Sequence, residues 1–281
     1  PQFSDPGDVN RTRLHWALIA GTAAAVGVGA ALGTRAVTQL VDSTLPDARG
    51  IASFNRPGTI TLLSSQGKII QKLGPATREK IKPGAMPPLV QNAFIAAEDR
   101  RFFQHDGVDA WGIARAVVTN VRQGAVREGA STITQQLARI VFLSQDRTIT
   151  RKLKEAALAL KLERQLSKQQ ILEQYLNYVY LGSGAYGVSD AAWIYFSKTT
   201  DQLTVAEAAL IAGLPPAPSI YSPLVNPDLA RKQRALVLDR MAQSGAISRV
   251  EAERASASPL ALKPATPKYF NSSAPYFTTW V

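Results

Sequence analysis

From Leu14 to Gly33 the chain runs LHWALIAGTAAAVGVGAALG, 20 residues without an aspartate, glutamate, lysine or arginine. At a rise of about 1.5 Å per residue a helix of that length crosses a hydrocarbon layer of ~30 Å, and only His15 and Thr22 dilute it. Arg11 and Arg13 precede the run and Arg35 follows it. This basic flank orients the N-terminus to the cytoplasm and everything downstream to the outside. We therefore expect a cytoplasmic tail over residues 1–13 and a single transmembrane anchor over 14–35. The alternatives are a buried Ala/Gly-rich helix and a cleavable signal peptide, whose apolar core is usually shorter.

Across the whole chain, 46% hydrophobic and 19% charged residues in 281 are enough for one large folded domain with smaller attachments. Cysteine is absent and the histidines are His15 and His105 alone. Disulfides, thiolate catalysis, Cys-ligated metals and multi-His metal sites are thereby excluded. A formal charge of +11 points to an anionic partner: nucleic acid, an acidic membrane face or a phosphorylated substrate. No recognition helix and no basic–aromatic interleaving is visible, and an outward-facing anchored domain meets no chromosome, so no nucleic-acid partner is expected.

The run Thr59–Gln71, TITLLSSQGKIIQ, has β-rich arms around Ser64–Gly67 and reads as a hairpin with a glycine turn, inside a juxtamembrane segment assigned to 36–86. After Pro87 and Pro88 the periodicity becomes helical as far as about Gly213, so the fold class is mainly α with this short hairpin as an annex. Ser167–Gln170 and Thr204–Glu207 have capping-box spacing, and Gly182 and Gly213 are natural stops. Pro215, Pro216, Pro218, Pro223 and Pro227 impose an extended strap before a basic helix over Asp228–Met241. The main domain is assigned to 87–254. The Ser/Ala/Pro-rich stretch 255–281 reads as a linker toward a further domain.

Three groups of residues can carry chemistry. On the helix after Pro88, Leu89, Val90, Ala93, Phe94 and Ala97 form one apolar arc and Glu98 falls at its rim. A half-desolvated carboxylate there suits a general base, with Arg100 and Arg101 near enough to keep it ionised; periodicity alone favours an ordinary amphipathic edge residue. In RKLKEAALALKLERQL, Glu155 lies inside one of two nearly opposite apolar stripes, which places it and Arg151 inside the molecule or in a cleft. An Arg151–Glu155 ion pair and a functional role are equally open. Finally, EGASTITQQLAR starts a helix at Ser131 or Thr132 with a Thr132–Gln135 capping box, and free first-turn amides beside hydroxyls bind anions. Downstream come Arg139, Arg147, Arg151, Lys152 and Lys154, against Asp146 and Glu155 as the local acids. The bland reading is a solvated basic face. Together, the three groups suggest displacement of a lipid-linked phosphate.

At these residues the sequence resembles the peptidoglycan glycosyltransferase domain of bifunctional, class A penicillin-binding proteins, glycosyltransferase family 51. Glu98–Gly107, EDRRFFQHDG, fits the family pattern E-D-x-x-F-x-x-H-x-G; GASTITQQ at Gly129–Gln136 fits the second motif. R-K-x-x-E is Arg151–Glu155, and K-x-x-I-L-E-x-Y-L-N is Lys168–Asn177. In the fifth motif, R-R-x-x-V-L, Gln233 replaces the first Arg while Arg234, Val237 and Leu238 remain; Ala130 stands for the usual Gly and Arg139 for the usual Lys. The similarity spans roughly Ser53–Met241.

The resemblance implies a lysozyme-like helical lobe with a small membrane-proximal part, facing the periplasm or exterior on the cytoplasmic membrane. It implies lipid II and the growing glycan strand as substrates, membrane lipid as surroundings, and cell-wall synthesis or division proteins as partners. Glu98 would deprotonate the acceptor 4-hydroxyl as it attacks the donor with inversion. Glu155 would stand by the donor pyrophosphate, organising cations or holding Mg2+ or Mn2+; no organic cofactor is implied. Asp99, Ser131, Gln135, Gln136, Arg139, Arg147, Arg151, Lys152 and Lys154 would contact substrate. His105, Glu173, Asn177 and Arg234 read as structural supports. The competing readings are an anchored lysozyme-like hydrolase or lytic transglycosylase, and a non-catalytic scaffold that holds anionic lipid or wall polymer. The S-x-x-K, S-x-N and K-T-G transpeptidase set is not found in these 281 residues.

Overall fold

A computed structural model describes residues 60–73, 80–123, 131–142 and 149–265. The expected tail and anchor, the linker beyond 265 and Arg147 lie outside the described residues. Among the described residues no helix is long and apolar enough to cross a membrane.

The hairpin forms as its sequence predicts. Strands β1 (Ile60–Leu63) and β2 (Ile69–Leu73) pair antiparallel, with a bulge between Leu62 and Leu63. Gly67 closes the turn at φ 77°, and its N–H donates to the Ser64 carbonyl at 2.9 Å. Among the described residues the elements after it are helical, with one isolated bridge between Tyr180 and Tyr186: α1 (Pro88–Glu98), a 3-10 turn (Phe102–Gln104), α2 (Ala110–Gln123), α3 (Ile133–Phe142), α4 (Ile149–Gln165), α5 (Lys168–Tyr178) and α6 (Val188–Phe196). After a second 3-10 turn (Thr200–Gln202) come α7 (Val205–Ala212), α8 (Pro218–Tyr221), α9 (Pro227–Gln243) and α10 (Arg249–Ala257).

Local signals set most of these boundaries. Proline opens α1, α8 and α9, where its missing N–H and fixed φ cost nothing. Reciprocal capping boxes start α5 (Ser167, Gln170) and α7 (Thr204, Glu207), as the spacing predicts, and a further one starts α10 (Ser248, Glu251). The helices then pack in two connected groups, α3 with α4 and α5, and α9 with α1, α7 and α10. Phe94, Phe102, Leu137, Leu158, Leu162, Ile171, Leu172 and Tyr175 are fully buried between them. At about 1.5–3 kcal/mol for each large apolar side chain removed from water, this core is the main stabilising term.

Two expectations are corrected. The Pro-rich strap is not wholly extended, because Pro218 at a helix first turn allows α8 to form, with the Tyr221 N–H bonded to the Ala217 carbonyl at 2.8 Å. Nor does the chain leave the domain at 255. Helix α10 runs on to Ala257, and the Lys263 and Ala265 N–H groups donate to the carbonyls of Tyr195 and Ile194 on α6. Buried Arg234 holds the turn between, donating to the carbonyls of Ser256, Ser258 and Pro259 at 2.9, 2.7 and 3.2 Å. Arg234→Ala should lower unfolding stability by about 3 kcal/mol, since charge-assisted bonds are lost and buried carbonyls are stranded. The denaturant midpoint measures this, and an unchanged midpoint would mean that α10 is held by other contacts.

Helix α4 also departs from its pattern. Of its two apolar stripes, Leu158, Ala159 and Leu162 are buried with Glu155, whereas Leu153 and Leu160 are exposed. The helix is therefore buried on one side only.

Candidate active site

Glu98 ends α1 half-buried, at the rim its periodicity predicts, and opens into a cleft of about 440 Å³. Ser131, Thr132, Gln136 and Arg139 line the same cleft, with Arg100, Arg101, Arg115 and Arg240, and Pro215, Pro216 and Tyr221 from the strap. The Glu98 carboxylate accepts from Gln136 Nε2 at 2.7 Å. Burial pushes its carboxyl up from the ordinary value. The Gln136 bond and the Arg240 and Arg139 cations oppose that rise, and Asp99 adds to it. Desolvation is the largest of these effects, which leaves a carboxylate more basic than a solvated one.

The second motif is built differently from its sequence expectation. Thr132 and Gln135 form the capping box: the Thr132 N–H donates to Gln135 Oε1 at 3.0 Å and the Gln135 N–H to Thr132 Oγ1 at 3.1 Å. The Ile133 N–H donates to Asp99 Oδ2 at 3.0 Å. Three amides at the start of α3 are therefore satisfied within the protein and are not free to meet an anion. Gln135, named as a substrate contact, is buried and caps a helix instead. Asp99 is likewise buried, its oxygens spanned by Ile133 N–H and His105 Nε2 at 3.0 and 3.1 Å. His105 Nδ1 accepts from the Gly107 N–H at 3.2 Å, so Nε2 carries the hydrogen that faces Asp99. His105 thus ties down the turn after Glu98, as expected. Gly107 sits at φ 92°, and a Cβ there would lie 2.8 Å from the Ala159 backbone, so this turn needs glycine to pack on α4.

Glu155 is 2% exposed. Arg151 Nε lies 3.1 Å from one of its oxygens and Lys152 Nζ 3.0 Å from the other. The ion-pair reading is correct as far as it goes. Lys152 Nζ also donates to Ser131 Oγ at 2.7 Å, which links the pair to the cleft wall. Lys154 is exposed and is not among the residues lining the cleft. A divalent cation does not fit Glu155: both oxygens face cations, and among the described residues no three His, Cys, Asp or Glu side chains form a metal cluster.

The supports expected on α5 pin the segment before α1. Glu173 Oε1 accepts from the Gly84 N–H at 2.9 Å, and Asn177 Oδ1 from the Ile81 N–H at 2.9 Å. Lys168 bonds Glu163 at 2.7 Å and stands over the Phe102 ring at 4.4 Å, while Thr134 Oγ1 donates to Glu163 at 2.6 Å. Two neighbours of Glu98 were not foreseen. Arg240 donates to the Ala97 carbonyl at 2.5 Å, and Tyr175 Oη donates to Gln136 Oε1 at 3.0 Å. A sequence signal exists for Arg240, a cation three residues after the buried Val237 at the edge of an apolar stripe; for Tyr175 the signal is its place in the K-x-x-I-L-E-x-Y-L-N motif.

A family model described as Transglycosylase matches residues 66–242. Penicillin-binding protein 1A of Neisseria lactamica is 48% identical over 211 residues, covering 75% of this chain and 26% of that protein. Penicillin-binding protein 1A of Aquifex aeolicus is 44% identical over 219 residues, covering 78% of this chain and 30% of that protein. A crystal structure of penicillin-binding protein 1A from Haemophilus influenzae aligns over 76% of this chain and 22% of that one, at 24% identity and a TM-score of 0.43. The chain thus spans between a quarter and a third of the curated relatives it matches.

Proposed function

The chain belongs to the transglycosylase family, and from that premise we propose that it polymerises lipid II into glycan strands as a peptidoglycan glycosyltransferase, inverting the donor anomeric carbon and releasing undecaprenyl pyrophosphate. The observation that carries this reading is the shared cleft. Glu98, with its carboxyl pushed up by burial, opens into the same cavity as Arg139 and Ser131, and Ser131 Oγ accepts from Lys152 Nζ at 2.7 Å.

The acceptor 4-hydroxyl loses its proton to the Glu98 carboxylate as its oxygen attacks the donor C1. The new C1–O4 bond forms while the C1–O(phosphate) bond breaks, and the electron pair leaves on the pyrophosphate. Fixed cations stabilise that growing charge without reorganising, as in other phosphoryl sites. Arg139 at the cleft, with Lys152 and Arg151 gathered by Glu155, fill this role; Arg147 belongs to the same basic series. A pyrophosphate leaves without a general acid, so no second protonated carboxyl is required, unlike in glycoside hydrolysis. Asp99 acts through His105 and the start of α3, as a support for the Glu98 turn.

The Leu14–Gly33 run anchors the chain in the cytoplasmic membrane in this reading, with the lysozyme-like lobe on the outer face. Cell-wall synthesis or division proteins are its expected partners. Incubating the chain in detergent or vesicles with labelled lipid II, and sizing the products, tests the activity. Lengthening glycan is expected. Shortening of preformed glycan would favour a hydrolase or lytic enzyme, and no change in either would favour a scaffold.

A further inference from the structure

We propose that Tyr175 is a positioning residue for the Glu98 carboxylate, locking the side-chain amide of Gln136 in the one orientation that presents a donor to Glu98. The inference rests on the reading of Glu98 as the base. A primary amide has a donor end and an acceptor end, exchanged by a half-turn about its last bond. In the orientation observed, Tyr175 Oη donates to Gln136 Oε1 at 3.0 Å and Gln136 Nε2 donates to Glu98 Oε2 at 2.7 Å. Every group in the chain then has a matched partner. After a half-turn, Gln136 Oε1 would face the carboxylate oxygen, and the hydroxyl hydrogen of a fully buried phenol would lose its acceptor.

The phenol is well placed for this task. Burial pushes its pKa well above the ordinary value, so it keeps its hydrogen. Its ring packs edge-on against Phe94, centroids 6.2 Å apart at 79°, on the same helix that ends in Glu98. Tyr175 therefore fixes the amide relative to the helix that carries the base. The other charged groups acting on Glu98 are Arg139 on α3, Arg240 on α9 and the adjoining Asp99. Glu207, on the neighbouring α7, is engaged by Lys198 and the Thr204 N–H. These charges act on the carboxylate, and the buried hydroxyl is the donor that engages the acceptor end of the amide.

Tyr175→Phe, which keeps the ring packing, is the test, assayed on the chain with lipid II across pH. The expected result is a kcat lower by on the order of 10-fold with KM unchanged, as for one charge-assisted hydrogen bond weakened in the reactive complex. The acid limb of the kcat profile should move to higher pH, because a carboxylate with a less reliable donor holds its proton more tightly. Gln136→Met should move the limb the same way, and adding Tyr175→Phe to it should change nothing further. An unmoved limb in Gln136→Met, effects that multiply in the double variant, or an unchanged profile in Tyr175→Phe would each overturn the lock. Glu98→Gln run alongside separates the two levels. Turnover surviving there removes the base itself, whereas an inactive Glu98→Gln beside an unaffected Tyr175→Phe removes only the lock.

Discussion

Glu98→Gln is expected to abolish polymerisation, lowering kcat by about 10²–10⁴-fold, the range a positioned base contributes. The substitution is nearly isosteric. The new amide oxygen can still accept from Gln136 Nε2, so the cleft keeps its shape while losing its proton acceptor. Stability should not follow activity. Burial raises the Glu98 carboxyl above its ordinary 4.5, so the side chain's contribution to folding is full at low pH and is lost as pH rises through the raised value. At neutral pH the ionised residue costs stability, and glutamine, which cannot ionise, should unfold at a temperature no lower than the parent. For the parent enzyme the same sign means that kcat rises with pH along a limb lying above the ordinary carboxylate range. A Glu98→Gln chain that polymerises at near-parental rate would remove Glu98 from the role.

Glu155→Gln carries the second large effect, a fall in kcat/KM of roughly 10²-fold, the scale of one lost electrostatic contact in a preorganised site. The buried carboxylate sets Arg151 and Lys152 side by side, and Lys152 in turn reaches Ser131 on the cleft wall. With glutamine there, neither cation is drawn inward, and the leaving pyrophosphate meets a looser clamp. Removing one partner of a fully buried pair costs ~3–5 kcal/mol. Here Lys152 is 46% exposed on its side chain and can turn to water, so the stability loss should be smaller. The two readings left open by the sequence part at this point. Lost turnover with a modest drop in melting temperature supports the clamp; normal turnover with a lowered melting temperature makes Glu155 a structural partner of Arg151 alone.

Much of the fold was legible because its signals are local. Ser167 and Gln170, or Thr204 and Glu207, lie three residues apart and satisfy each other wherever the helix ends up. The place of Glu98 followed from the 3.6-residue period of its own helix. What the sequence does not show depends on partners distant in the chain. Asp99 lines the cleft, and Ile133, 34 residues on, donates to one of its oxygens. The helix start at Thr132 looked like an anion site because spacing reveals the free amides but not the side chains that later fill them. Tyr175 is 39 residues from Gln136, and Arg240 is 143 from the Ala97 carbonyl. Only the packing of α5 against α3 and of α9 against α1 brings these pairs together. The linker was misjudged for a related reason: a Ser/Ala/Pro composition suggests an unpacked chain, but three backbone carbonyls there found the guanidinium of Arg234.

The most direct test of a base and a cation clamp sharing one cleft is a structure of the chain with a lipid II headgroup bound. The donor pyrophosphate should lie against Arg139 and Lys152, with the acceptor 4-hydroxyl within about 3.2 Å of the Glu98 carboxylate. A pyrophosphate held instead by the Arg100, Arg101 and Arg115 wall, with no sugar hydroxyl in reach of Glu98, would contradict it.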